Sequence, residues 1–397
     1  MNIESVLAER THHMGASAIR EILKVVSQPG MVSLAGGIPA PESFPMDILR
    51  DLHGVVEQKY GSQAFQYEAT EGFLPFREAL VPYLGARGVT ASADGIIVTS
   101  GSQAVLDGIG KLLLDPSDVV AVEAPTYLGA LQAFNPYQPR YVQIETDEGG
   151  LSPESLETVL ANNPVKFVYL CPTFQNPTGR TLNAERRAAV AEIIKRHDVL
   201  LIEDDPYGDL RYRGSRLAPI QSLAPENVIY AGTLSKVMSP GLRLGFCVAP
   251  EAVRRWLVIA KQGVDLHTNT YGQALAAEYL SGGHLERHLP KIIELYRPRQ
   301  EAMLRALERE LPPAFSWTRP EGGMFIWVEG PGGLDAEALY WEAVKRNVAF
   351  VPGKFFYAQP GDGLATMRLN FTMANEATLD AAITTRAAAI REMLAGA

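Results

Sequence analysis

The sequence predicts an α/β protein: a large domain with a mostly parallel sheet covered by helices, joined to a smaller α+β domain. Three observations carry this expectation. Short β-branched runs alternate with longer stretches of helical apolar period. Those runs are continuously apolar, as strands covered on both faces require. Past residue 290 the order changes to a long charged helix, then strand candidates with helices between and after them, which reads as an α+β unit.

The first segment, 1–45, holds one helix candidate over 16–26, with Ile19, Ile22, Leu23 and Val26 at core spacing. The turn-rich Gly36-Gly37-Ile38-Pro39-Ala40-Pro41 follows. In the large segment, 46–290, the strand candidates are 96–99, 119–122, 167–170, 199–202, 228–230 and 245–249. An apolar-periodic helix follows the first strand over 104–114, and a helix rich in Ala, Arg and Glu occupies 181–197. In the last segment, 291–397, a charged helix covers 291–311, and 324–328, 349–351 and 367–371 read as strands. No repeat, low-complexity tract or floppy linker separates the segments, so the domains are expected to pack closely.

Composition excludes several classes of function. The 397 residues include 36 basic and 45 acidic side chains, a formal charge of −9 that argues against a nucleic-acid partner. No apolar run approaches the roughly 18 residues a membrane helix needs, and the N-terminus lacks the apolar centre of a signal peptide. The two cysteines, Cys171 and Cys247, lie in apolar runs and read as buried thiols. Together these features suit a soluble protein of the reducing cytoplasm.

Polar residues interrupt the chain just after four strand candidates, where open α/β sheets bind ligands. Ser100-Gly101-Ser102-Gln103 opens a helix, as an anion site or with Ser102 as a plain N-cap. Asn176-Pro177-Thr178-Gly179 is turn chemistry, structural or functional. Glu203-Asp204-Asp205-Pro206-Tyr207 offers carboxylates for a helix cap, a metal or a cationic ligand. Metal binding fits poorly, because the one close histidine pair, His284 and His288, lacks the flanking acid of a zinc protease and reads as an exposed helix face. Ser235-Lys236-Val237-Met238-Ser239-Pro240-Gly241-Leu242-Arg243 puts Lys236 beside two hydroxyls, Thr233 and Ser235, and near Arg243, as an anion and a nucleophilic amine together would require.

These four clusters, in this order, resemble the fold-type I pyridoxal-phosphate (PLP) aminotransferases over nearly the whole chain. Ser17-Ala18-Ile19-Arg20-Glu21, Ala35-Gly36-Gly37-Ile38-Pro39, Gln66-Tyr67 and Pro320-Glu321-Gly322-Gly323-Met324-Phe325 are most similar to the 2-aminoadipate and kynurenine aminotransferase group. The resemblance implies a seven-stranded sheet and a ping-pong Schiff-base mechanism. Lys236 would carry the cofactor and move the proton at the substrate Cα, and Asp204 would face the pyridine nitrogen. Asn176 and Tyr207 would donate to the phenolic O3′, and Tyr127 would stack on the ring. Ser102, Gln103, Ser235 and Arg243 would hold the phosphate. Tyr67 would reach the site from a second subunit, which makes a homodimer the expected assembly.

The alternation in Met367-Arg368-Leu369-Asn370-Phe371 puts Arg368 and Asn370 on one strand face. By resemblance Arg368 clamps the substrate α-carboxylate, with Asn176 and Gly37 beside it, since a guanidinium matches a carboxylate through two parallel hydrogen bonds. Arg20 has no acid three or four residues away and is the candidate for a distal carboxylate, as in glutamate or 2-aminoadipate. A helix that swings aside would also admit leucine or aromatic side chains, so broad specificity is expected. Two other readings share the fold: a PLP lyase or decarboxylase, and a non-catalytic ligand sensor.

Overall fold

The computed structural model describes residues 3–14, 22 and 29–395. Seven strands form its central sheet: β1 (Ile96–Thr99), β2 (Val119–Glu123), β3 (Arg140–Ile144), β4 (Val165–Leu170), β5 (Leu200–Asp205), β6 (Val228–Thr233) and β7 (Gly245–Val248). They lie side by side in the order β1-β7-β6-β5-β4-β2-β3. β7 is antiparallel to both neighbours and every other pair is parallel.

The apolar runs become buried strands because helices cover both faces. Ile97, Val120, Phe167, Ile202 and Ile229 pack on one face against Val105, Leu106 and Ile109 of helix α1 (Ser102–Leu113). Ala121, Val168, Leu201 and Val228 face the other way, onto Val190, Ala191 and Ile194 of helix α2 (Ala184–Arg196). Each such aliphatic side chain contributes about 1.5–3 kcal/mol on full burial. β3 goes beyond the strand candidates of the sequence. Arg140 and Gln143 dilute its apolar pattern, which its place at the sheet edge permits.

The second sheet has four antiparallel strands, β8 (Ser316–Trp317), β9 (Phe325–Glu329), β10 (Val351–Pro352) and β11 (Thr366–Asn370), in the order β8-β9-β11-β10. The single strand expected over 349–351 is in fact two. Val348–Ala349 pairs in parallel with Val32–Ser33, and the chain changes sheets at Phe350. The long charged helix also differs from expectation. It runs as α3 (His284–Glu310), passing through Pro290 and Pro298. Proline removes a donor and crowds the preceding turn, so pattern reading starts the helix behind it. Burial of Leu285, Ile292, Tyr296 and Met303 along one face outweighs that cost.

That burial also corrects the histidine pair. His284 stacks on Tyr279 with its ring centroid 6.3 Å away. His288 is buried, and its Nε2 donates to the Ser43 carbonyl at 2.8 Å. The helix candidate over 16–26 lies outside the described residues except for Ile22, which is helical and buried. Among the described residues, no helix is long and apolar enough to cross a membrane.

A candidate active site at the carboxyl edge of the sheet

The carboxyl ends of β1, β2, β4, β5 and β6 share one edge of the sheet. β7 runs the other way, so its beginning lies at that edge too. The connection between β6 and β7 therefore brings Lys236 and Arg243 to the same place. The four polar clusters close around a cavity of about 130 Å³. Ser102, Gln103, Tyr127, Asn176, Asp204, Tyr207, Ser235, Lys236 and Arg243 all line it.

Lys236 is half-buried, and its Nζ donates to the Gly37 carbonyl at 2.9 Å. Desolvation, reinforced by the charges of Arg243 and Arg368, brings its ammonium down to about 8. An amine so placed loses its proton near neutral pH, as nucleophilic or basic work requires. Asp204 is buried at the end of β5. Its Oδ2 accepts the Tyr169 hydroxyl at 2.8 Å, while Oδ1 has no partner among the described residues. Burial pushes this carboxyl up to about 7, against the downward pull of the Tyr169 hydrogen bond. A buried carboxylate oxygen without a donor is costly. A cationic N–H group in the cavity would satisfy it.

Asn176 and Tyr207 stand together, with Asn176 Nδ2 donating to the Tyr207 hydroxyl at 3.4 Å. The other end of the amide, Oδ1, accepts from Arg368 Nη1 at 2.7 Å. Arg368 is fully buried on β11, and its Nη2 donates to the Ala35 carbonyl at 2.6 Å. Phe325 and Phe356 lie against the guanidinium, with ring centroids 4.2 and 4.9 Å from its carbon. Burial brings its pKa down to about 10, so the group stays cationic at neutral pH. No acid pairs with it among the described residues, so a carboxylate ligand would be its counter-ion.

The opposite corner suits a phosphate. α1 begins at Ser102 with Gly101 as its N-cap, so Ser102 is not the cap that the sequence suggests. Gly101 has φ +83°, and a Cβ there would lie 2.2 Å from Arg243 Nη2. The opening N–H groups of α1 favour an anion. Arg243, itself left-handed at φ 51°, donates to the Ser100 carbonyl at 3.1 Å. Ser235 Oγ lies 2.9 Å from Thr233 Oγ1. Gln103 Nε2 donates to the Gly129 carbonyl at 2.6 Å, and Tyr127 donates to Gln103 Oε1 at 3.5 Å.

Among the other sequence-predicted residues, Gly37 and Arg368 do not line the cavity but bond Lys236 and Asn176, which do. Tyr67 is 76% exposed, edge-on to His267, and stands outside it. Arg20 lies outside the described residues. Conversely, sequence reasoning missed Tyr169, the Cys171 side chain in the wall, and the two phenylalanines around Arg368. Tyr169 and Cys171 sit within or just after an apolar strand, which hides them as core.

The donor set fits pyridoxal phosphate. The cavity offers an amine for an aldehyde, an orphan carboxylate oxygen for a ring N–H, and a helix start with Arg243 for a phosphate.

Comparison with known proteins agrees. Residues 50–385 match the family model described as aminotransferase class I and II. The chain is 45% identical to aromatic-amino-acid aminotransferase 1 of Thermococcus litoralis, over 99% of its own length and 95% of the relative's. It is similar in structure to Pyrococcus horikoshii kynurenine aminotransferase, solved with PMP, with a TM-score of 0.95 and 46% identity over 99% of this chain and 98% of that one. The alpha-aminoadipate aminotransferase of Thermus thermophilus, complexed with N-(5'-phosphopyridoxyl)-L-leucine, superposes with a TM-score of 0.93 at 37% identity, covering 100% of both chains. With its cavity, its fold-type I sheet and these relatives in agreement, the chain belongs to the class I and II aminotransferase family.

Proposed function

We propose that the protein is a PLP-dependent aminotransferase, moving an amino group between an L-amino acid and a 2-oxo acid such as 2-oxoglutarate. The observation that carries this reading is that one cavity holds both the depressed amine of Lys236 and the orphan Asp204 oxygen. When bound, pyridoxal phosphate supplies an aldehyde for the amino group and a ring that accepts electrons from the substrate Cα.

The chain's residues do the rest. Asp204 accepts from the ring N–H and holds that proton in place. Asn176 and Tyr207 donate to the phenolic oxygen. The opening of α1, Ser235 and Arg243 hold the phosphate. Lys236 would hold the cofactor through its amine and, once free, would take the Cα proton and hand it to the cofactor's aldehyde carbon, a transfer that a pKa of about 8 suits. Arg368 grips the α-carboxylate, which fixes the Cα–H bond relative to Lys236.

Relatives named for aromatic amino acids, kynurenine and alpha-aminoadipate support broad specificity. Arg20 takes the distal carboxylate of glutamate or 2-aminoadipate in this reading. Arg20→Ala is expected to lose about tenfold in kcat/KM on glutamate and little on leucine, as one charge-assisted hydrogen bond is worth. Equal losses on both would remove that role.

The protein works as a homodimer in this reading. Phe65, Tyr67 and Leu266 are exposed apolar side chains near Tyr271 and His267, a surface that a second copy would cover. Tyr67 then completes the neighbouring cavity. The two buried free thiols suit the cytoplasm.

The decisive measurement is the visible spectrum of the PLP-loaded protein. A yellow form that glutamate bleaches and 2-oxoglutarate restores is the expected outcome. A protein that stays colourless with PLP overturns the reading. A yellow protein that releases carbon dioxide or an eliminated group from the amino acid points to a lyase or decarboxylase.

A further inference from the structure

Glu123 closes β2 with its side chain buried, next to the cavity wall but not part of it. Its Oε2 accepts the Cys171 N–H at 3.2 Å, where β4 ends. The Gln175 side chain lies close enough to the same carboxyl to pull its pKa down. Gln175 also donates Nε2 to the Pro125 carbonyl at 3.0 Å, and its Oε1 accepts from the Thr178 N–H at 3.4 Å and from the Thr178 hydroxyl.

The Glu123 carboxyl thus holds the end of β4 and lies against Gln175, which ties the turn 175–178 to the segment that runs from Glu123 to Tyr127. Asn176 follows Gln175 directly, and Asn176 Oδ1 receives Arg368 at 2.7 Å. The order of dependence therefore runs from Glu123 through Gln175 and Asn176 to Arg368.

We propose that Glu123 is a positioning residue, holding the Asn176 turn so that Arg368 meets the substrate carboxylate in the right direction. The inference rests on the proposed role of Arg368 as carboxylate clamp. What the turn needs from Glu123 is hydrogen bonding in a fixed place. Burial pushes this carboxyl up to about 8, with Arg180 the charged group that pulls it down, so near neutrality it is largely an uncharged acid. Glutamine has the same shape and is expected to substitute well.

The test is calorimetric titration of the PLP-loaded enzyme with 3-phenylpropionate, a carboxylate that has no amino group to react, so turnover is not needed. Glu123→Ala is expected to weaken binding about tenfold, with a matching rise in KM and kcat within about threefold, because misaim of a binding group costs affinity in ground and transition states alike. Glu123→Gln is expected to stay within about threefold of the parent. Gln175→Ala should reproduce the loss, and the double variant Glu123→Ala with Gln175→Ala should add little to it, since both residues act through one turn.

Unchanged affinity in Glu123→Ala, or in Gln175→Ala should the former fail to fold, overturns the proposal. Equal losses in the Ala and Gln variants at position 123 also overturn it. A parent enzyme that does not bind 3-phenylpropionate at all overturns the carboxylate clamp itself, and this inference with it, which separates the two failures.

Discussion

Glu203 and Asp204 are neighbours on one strand, both buried and both pushed up to about 7 by burial, yet they belong to different machines. Glu203 points to the face where α2 packs. Its oxygens accept the Ile220 N–H at 3.0 Å and the Gln221 N–H at 2.8 Å, with Arg187 3.7 Å away. Arg187 itself donates to the Leu182 and Pro172 carbonyls. Asp204 points to the opposite face, holds one hydroxyl and has no donor for its other oxygen among the described residues. Burial alone does not separate a structural acid from a working one; the count of satisfied lone pairs does.

The largest expected effect that tests this contrast is on activity. Asp204→Asn keeps the shape but removes the charge that a ring N–H would meet, and should cut kcat/KM about a thousandfold, within the range for a lost acid–base partner. Steady-state kinetics checks it. Retention of more than a tenth of the activity would place Asp204 with the structural acids.

Next in size is Glu203→Ala. It strands the Arg187 charge and two buried N–H groups, and is expected to cost about 3–5 kcal/mol in urea unfolding. The activity of the molecules that stay folded should change by less than about threefold. A large loss of activity at full stability would merge the two acids into one functional group.

The smallest effect sharpens the comparison through pH. In the cofactor-free protein the Asp204 carboxyl is raised from 3.8 to about 7, so the folded state holds its proton longer than the unfolded chain does. Between about pH 4 and pH 7 the unfolded state gains, and above 7 the buried charge costs its full amount. Asp204→Asn has no such charge. It should match the parent near pH 4 and exceed it above pH 7 by up to a few kcal/mol. Thermal melts across that range decide it, and a gap independent of pH would show that Oδ1 is satisfied in solution.

Much of the fold was legible because burial on both faces leaves a plain mark. The runs around Ile97, Val120, Val168 and Ile229 are apolar without alternation, and each became a strand of the seven-stranded sheet. Where burial is one-sided the mark fades. β3 at the sheet edge carries arginine and glutamine among its apolar residues, and α3 continues through two prolines because its packed face holds it. His288 read as exposed because its partner, the Ser43 carbonyl, lies 245 residues away.

The candidate site shows the same division. Strand ends in a parallel sheet are where ligands bind, so Ser102, Asn176, Asp204 and Lys236 were visible as interruptions after apolar runs. Alternation along β5 puts Glu203 and Asp204 on opposite faces. Which face held the cavity was not visible, nor was Tyr169, whose hydroxyl is functional but whose ring is core.

By itself, the sequence determined which segments are covered on both faces, in what order they come, and which chemical groups stand at their ends, because each of these is written in runs of adjacent residues. Only the tertiary structure decided that Lys236 is a depressed amine on the Gly37 carbonyl and that, among the described residues, Asp204 Oδ1 meets no donor and Arg368 is caged without an acid. The physical reason is distance along the chain. Lys236 meets its partner across 199 residues and Arg368 meets Asn176 across 192, and desolvation depends on everything packed around a group.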